Sequence, residues 1–218
     1  MLVTGEVYHA LTRSIANFKI FNNEVDFSRM KDVLKYYQFK SPLKSFSAFN
    51  KLADKKLIFS QSDNFAKTTN KLVKVIAWCL MPTHIHLVLK QSKDGGISRF
   101  MNNILNSYSR YFNIKHNRKG PLWEGRFKKI LVESDEQLLH LTRYIHLNPV
   151  TAGLIDRPED WPASSYGGYV VSDDSENNLC CYHELLDINP ATYKKFVDDR
   201  ISYQKELIRI KHLAGEEV

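Results

Sequence analysis

Apolar and polar positions along the chain follow two periods. Val7 to Arg13 alternates as a strand does, and between Asp26 and Tyr37 the residues Phe27, Met30, Val33, Leu34 and Tyr37 recur at helical spacing. Leu72 to Leu80 is an apolar, β-branched and aromatic run, interrupted by Met81-Pro82-Thr83. The alternation resumes from His84 to Lys90, so the two segments should pair as an antiparallel hairpin. Ile97 to Phe112 sets Ile97, Phe100, Met101, Ile104, Leu105, Tyr108 and Tyr111 on one helical stripe, with Asn102, Asn103, Asn106 and Arg110 facing away. Phe127 to Glu133 reads as a short strand. Ser134 and Gln137 then form an S-x-x-Q capping box that opens another helix. Pro149 should end that helix, because the residue before a proline is driven out of the α region.

This order of strand, helix, hairpin, helix and strand predicts an α+β, ferredoxin-like sandwich in which helices pack on one face of a central antiparallel sheet. Residues 1–170 are expected to form the main domain, with 41–70 as a partly helical, solvent-rich insertion of Ser, Lys, Asn and Asp. Residues 171–218 read as an acidic linker followed by a C-terminal helical extension from about Pro190 to His212. No internal repeat is evident.

Composition narrows the classes. A chain of 218 residues with 43% apolar and 25% charged positions folds as one generous domain, and 9 Gly with 7 Pro exclude a collagen-like or low-complexity chain. Lys+Arg of 31 against Asp+Glu of 24 gives a net charge of +7, which favours an anionic partner: nucleic acid first, an acidic membrane surface second. Three cysteines, two of them the neighbours Cys180 and Cys181, offer neither a disulfide framework nor a CxxC knuckle. Met1 to Glu6 lacks a signal-peptide pattern, and Val75 to Met81 is too short to span a bilayer. The expected location is the cytoplasm, away from any membrane.

Three groups of residues carry candidate chemistry. His84 and His86 emerge on one face of a strand while Ile85 points to the other, a geometry that suits a shared metal ion. A half-exposed strand would also alternate two histidines. On the capped helix, Gln137, His140, Tyr144 and Asn148 follow steps of three and four, opposite the apolar Leu138, Leu141 and Ile145. Tyr144 thus points away from the core, as a tyrosine packing an amphipathic edge would. Its hydroxyl becomes a useful nucleophile only where a metal polarises its target or a neighbour takes its proton. Arg110, Lys115, Arg118, Lys119, Arg126, Lys128 and Lys129 form a cationic concentration interleaved with Tyr108, Tyr111, Phe112, Trp123 and Phe127. Cations hold phosphates and aromatic faces stack on unpaired bases, although a solvated charged surface over core aromatics would read the same way.

Read in order, three motifs bring these groups together: Cys79-Leu80-Met81-Pro82-Thr83-His84-Ile85-His86-Leu87-Val88-Leu89, then Trp123-Glu124-Gly125-Arg126-Phe127-Lys128, then Arg143-Tyr144-Ile145-His146-Leu147-Asn148-Pro149 and on to Leu154. Together they resemble the single-tyrosine HUH transposases, insertion-sequence enzymes, and within them the REP-associated tyrosine transposase branch. The resemblance runs from Tyr8 to about Tyr169. It implies that His84 and His86 bind a divalent cation, Mg²⁺ or Mn²⁺, with Asn148 completing the metal site, and that Tyr144 is the nucleophile. The implied activity is metal-dependent nicking and strand transfer on single-stranded DNA near a hairpin or palindromic repeat, through a 5′-phosphotyrosine, by a monomer or homodimer. Thr83 departs from the family, in which many members carry Asn.

Three rivals remain at this point. A histidine-triad hydrolase fails because Val88, not His, occupies the next alternate position. A structural zinc site on Cys79, His84 and His86 lacks a local fourth ligand. The intact His84, His86 and Tyr144 argue against a domesticated relative that binds hairpin DNA or RNA without cutting.

Overall fold

The structure is a computed structural model that describes residues 1–39, 45–51, 71–171 and 179–206. Most of the expected 41–70 insertion, most of the acidic stretch and residues 207–212 of the expected C-terminal helix lie outside these residues. Strands β1 (Val7–Arg13), β2 (Val73–Met81), β3 (His84–Gln91) and β4 (Lys128–Val132) form one antiparallel sheet in the order β2-β3-β1-β4. With α1 (Glu24–Tyr37) between β1 and β2, and α3 (Gly96–Lys115) between β3 and β4, this is the expected ferredoxin-like arrangement. The short α2 (Phe46–Phe49) lies in the insertion. Helix α4 (Asp135–Thr151) follows β4, then α5 (Tyr166–Val170) and α6 (Pro190–Asp198), with residues 201–206 helical after a break at 199–200.

Strand alternation divides the sheet into two unlike faces. Ile85, Leu87 and Leu89 are fully buried, as is Ala10 opposite Leu87, and α1 and α3 pack together over that side. His84 and His86 turn to the other face, where α4 lies. The helices therefore cover both faces rather than one, which corrects the arrangement expected from the sequence. The connection from β4 into α4 leads back over the side that α1 and α3 leave free.

Helix α4 also continues through Pro149 to Thr151 instead of ending before it. Leu147, Pro149 and Val150 are buried, the Ala152 amide donates to the Asn148 carbonyl, and the Leu154 amide donates to that of Pro149. Burial of this last turn outweighs the local preference of the residue before a proline.

The two sheet edges differ. β2 is buried along nearly its whole length although it ends the sheet, because the chain after α4 lies along it. The Leu80 amide donates to Ala163, the Ser165 amide to Trp78, and the Cys181 amide to Val75. At the opposite edge, Lys128, Lys129, Ile130 and Leu131 are exposed.

Asp26 fixes α1 to α3. Its fully buried carboxylate accepts from Tyr111 Oη at 2.8 Å, Lys115 Nζ at 2.6 Å and the Asn22 amide at 3.1 Å. Burial alone would raise its pKa, but these donors, led by Lys115 and Tyr111, hold it below the ordinary carboxylate value. A depressed carboxylate stabilises the fold above its unfolded pKa and loses that contribution as pH falls through the folded value. Asp26→Asn is therefore expected to lower stability by about 2 kcal/mol at pH 7. Urea titrations should show the difference from the parent narrowing as pH is taken below about 4.

Candidate active site on the open sheet face

His84 and His86 stand at 5.0 Å between ring centroids, with their planes near perpendicular. The Nδ1 atom of each has a partner. Thr83 Oγ1 lies 2.9 Å from His84 Nδ1, and His9 Nε2 lies 3.0 Å from His86 Nδ1 with the two rings stacked. Each Nε2 is left without a partner among the described residues. Outer hydrogen bonds of this kind fix the orientation and tautomer of a ligating imidazole. Burial, reinforced by the Arg13 charge, lowers the pKa of His84 to about 4, and burial, reinforced by His84, His9 and Arg13, lowers that of His86 to about 3. Both rings are neutral at physiological pH, as metal ligands must be.

Tyr144 reaches this pair from α4. Its ring meets that of His86 edge-on at 6.0 Å, and half of the residue is exposed. The capping box sets the helix start: the Gln137 amide donates to Ser134 Oγ at 3.1 Å. A buried hub holds the next turn. His146 Nδ1 lies 2.7 Å from Tyr193 Oη and its Nε2 lies 2.7 Å from Ser165 Oγ, so α4 is tied to α6 and to the segment along β2. On the outer side, the Arg143 guanidinium lies 3.8 Å above the Phe196 ring and donates to the Phe196 carbonyl.

Asn148 is placed differently from the other site residues. Its Nδ2 donates to the Tyr144 carbonyl at 3.2 Å, one turn back along α4, and not to either histidine. Among the described residues there is no group of three or more His, Cys, Asp or Glu suited to a metal. Of the three residues expected at a metal, His84 and His86 stand together and Asn148 does not join them. The zinc rival finds no support, since the buried Cys79 turns its thiol to Met81 Sδ at 3.8 Å.

The seven cationic residues do not form one surface. Lys115 is bound to Asp26, and Arg118 clasps its own loop through Asn113 Oδ1 and the Pro121 carbonyl. Arg126 and Lys129 line a cavity of about 990 Å³ between α3 and residues 120–127, facing Ser98, Asn102 and Asn106 across from Trp123 and Phe127. Arg110 borders a smaller cavity on the other side of α3, and Lys119 is exposed. Lys128 points to the opposite face from Lys129: it is paired with Leu11, which is itself opposite His86.

The sequence reading missed His9 and Arg13. Both lie on β1, far from the hairpin in sequence, and only the β1–β3 register brings them beside the histidine pair. Arg13 lies opposite His84. Alternation of His9, Leu11 and Arg13 on one face was the available signal.

Comparison with known proteins places this geometry in context. The family model described as "Transposase IS200 like" matches residues 53–148. A Haemophilus influenzae protein assigned to the REP-associated tyrosine transposases is 30% identical over 103 residues, which span 43% of this chain and 58% of that protein's length. A REP-associated tyrosine transposase solved bound to a REP hairpin superposes with a TM-score of 0.51 at 14% identity, over 87% of this chain and 93% of that one. A transposase-type structure from Deinococcus radiodurans gives a TM-score of 0.36 at 17% identity, over 66% of this chain and 91% of that one.

Proposed function

Because this chain is related to the IS200-like transposases through residues 53–148, we propose that it nicks and rejoins single-stranded DNA beside a hairpin, with Tyr144 as the nucleophile. The observation that carries this reading is the Tyr144 ring set 6.0 Å from His86, whose Nδ1 is anchored and whose Nε2 has no partner among the described residues. The hairpin is supported by the structural neighbour bound to one.

In the reaction, Tyr144 Oη attacks phosphorus and the bond from phosphorus to the 3′ oxygen breaks. The products are a 5′-phosphotyrosine and a 3′-hydroxyl, with the phenolic proton passing in net terms to the leaving oxygen. A DNA 3′-hydroxyl reverses the step at another site, so rejoining needs no nucleotide triphosphate. His84 and His86 would hold a divalent cation, Mg²⁺ or Mn²⁺, through their Nε2 atoms, where it would neutralise and polarise the scissile phosphate. Arg13, beside His84, adds a fixed positive charge to the same face.

The DNA path proposed here uses the cavity beside α3. Arg126 and Lys129 take phosphates, Phe127 and Trp123 offer aromatic walls, and Lys128 carries the strand over the β4 edge to the histidine face. A double substitution of Arg126 and Lys129 by alanine is expected to weaken single-stranded DNA binding. It should also reduce the slope of log K against log salt by about 1.4, at about 0.7 for each phosphate that is no longer neutralised. Fluorescence anisotropy across a salt series reads this directly; an unchanged slope places the path elsewhere. Incubation of labelled hairpin DNA with Mg²⁺ or Mn²⁺, followed by a denaturing gel, tests the chemistry. A covalent band supports cleavage, and tight binding without one, across varied hairpins, supports the non-cleaving relative.

A further inference from the structure

The excursion between β1 and α1 is strained and firmly held. Ala16 and Asn17 have φ of 50° and 54°, a region that non-glycine residues hold only when their surroundings impose it. Those surroundings are specific. The Ser14 amide donates to the Thr83 carbonyl at 2.8 Å, the Ile15 amide to Leu122 at 2.9 Å, and the Ile20 amide to Pro82 at 2.8 Å. Ser14 Oγ closes the loop by donating to the Phe18 carbonyl at 2.6 Å. Ser14 and Ile20 are fully buried, yet Phe18 between them is 57% exposed.

Phe18 sits where an aromatic plane has a use. The loop begins at Arg13, opposite His84, and is anchored to Thr83, whose hydroxyl meets His84. The Arg118 guanidinium lies 6.0 Å from the Phe18 ring centroid, and Lys19 follows in the chain. An apolar face edged by cations, on a loop anchored to the Thr83 turn that precedes His84, matches the chemistry of a nucleotide: a π-face joined to phosphate.

We infer that Phe18 is the stacking platform for one unpaired nucleobase flanking the scissile phosphate, with Arg13, Lys19 and Arg118 set around the backbone on either side of it. The inference rests on the proposed nuclease reading, since that reading places DNA at His84. An unpaired base is required, because a base within a duplex has both faces covered by its neighbours. The rigid loop presents the ring ready-made, so little ordering accompanies binding.

The test is an affinity scan with the full chain and hairpin DNA carrying unpaired flanks, in which one unpaired nucleotide at a time is replaced by an abasic spacer. Phe18→Ala is expected to weaken binding roughly 5- to 140-fold, the range for losing one base–aromatic stack. Phe18→Trp should restore the affinity. At one spacer position, the wild type and Phe18→Ala should bind equally, because the base that stacked is gone. A penalty of the same size at every spacer position, or no penalty, overturns the assignment. The covalent assay keeps the two readings apart. Absence of any adduct from the wild type, with the position-specific penalty intact, would reject the nuclease reading and leave the stacking platform standing.

Discussion

Tyr144→Phe should form no covalent adduct with DNA, a loss of at least about 1,000-fold in the rate of strand cleavage, while its affinity for hairpin DNA stays within about threefold of the parent. The change removes one oxygen from a half-exposed side chain and leaves the ring beside His86 in place. Neither the fold nor the groove beside α3 depends on that oxygen. His86→Ala should also abolish the adduct, by a different route: it removes one imidazole and leaves the His9 ring without its stacking partner. The two variants separate on metal binding. Titration with Mn²⁺ should show the parent's affinity in Tyr144→Phe and a marked loss in His86→Ala. An undiminished adduct in Tyr144→Phe would move the nucleophile to another residue.

The second large effect concerns the hub beneath Tyr144. His146 is fully buried, bonded on both nitrogens, and packed edge-on against Tyr166, Tyr169 and Tyr193. His146→Leu removes two buried hydrogen bonds and should lower stability by about 3 kcal/mol at pH 7.5, at roughly 1 kcal/mol per bond with a further loss from the broken network. Burial lowers the pKa of this imidazole to about 3. The unfolded chain therefore binds a proton below about pH 6.5 that the folded chain refuses, and stability falls as pH falls. Leucine has no such proton to bind. The stability gap between parent and variant should consequently shrink by about 2 kcal/mol between pH 7.5 and pH 5, at about 1.4 kcal/mol per pH unit below 6.5. Denaturant unfolding at a series of pH values reads this gap. A gap that stays constant would mean that His146 is charged in the folded protein.

Much of the fold was legible because its elements carry clean periods. Val7–Arg13 is found with the expected bounds, and the hairpin places His84 and His86 on one face as alternation requires. Helix α1 begins two residues before the expected start because Asn23 caps it, its side chain accepting from the Asp26 amide. What failed was set by packing beyond the local chain. Pro149 is tolerated inside α4 because the turn that contains it is buried. The face that α4 covers follows from the path after β4, which no local pattern encodes. In the site, the histidine pair and Tyr144 were visible, whereas His9 and Arg13 depend on the register of β1 against β3. Lys115 looked like any other member of a basic cluster. Its true partner, Asp26, lies 89 positions away and is hidden from a reading of charge runs.

The unequal edges of the sheet decide how the molecule can be approached. One side is sealed by the chain's own later segments, while Lys128 to Leu131 offer unpaired backbone groups to the surroundings. Any protein strand that extended the sheet there would settle over the same backbone that Lys128 and Lys129 flank. Self-association along that margin and passage of a nucleic acid strand by the proposed path across it would be competing events, and concentrated protein would shield that path.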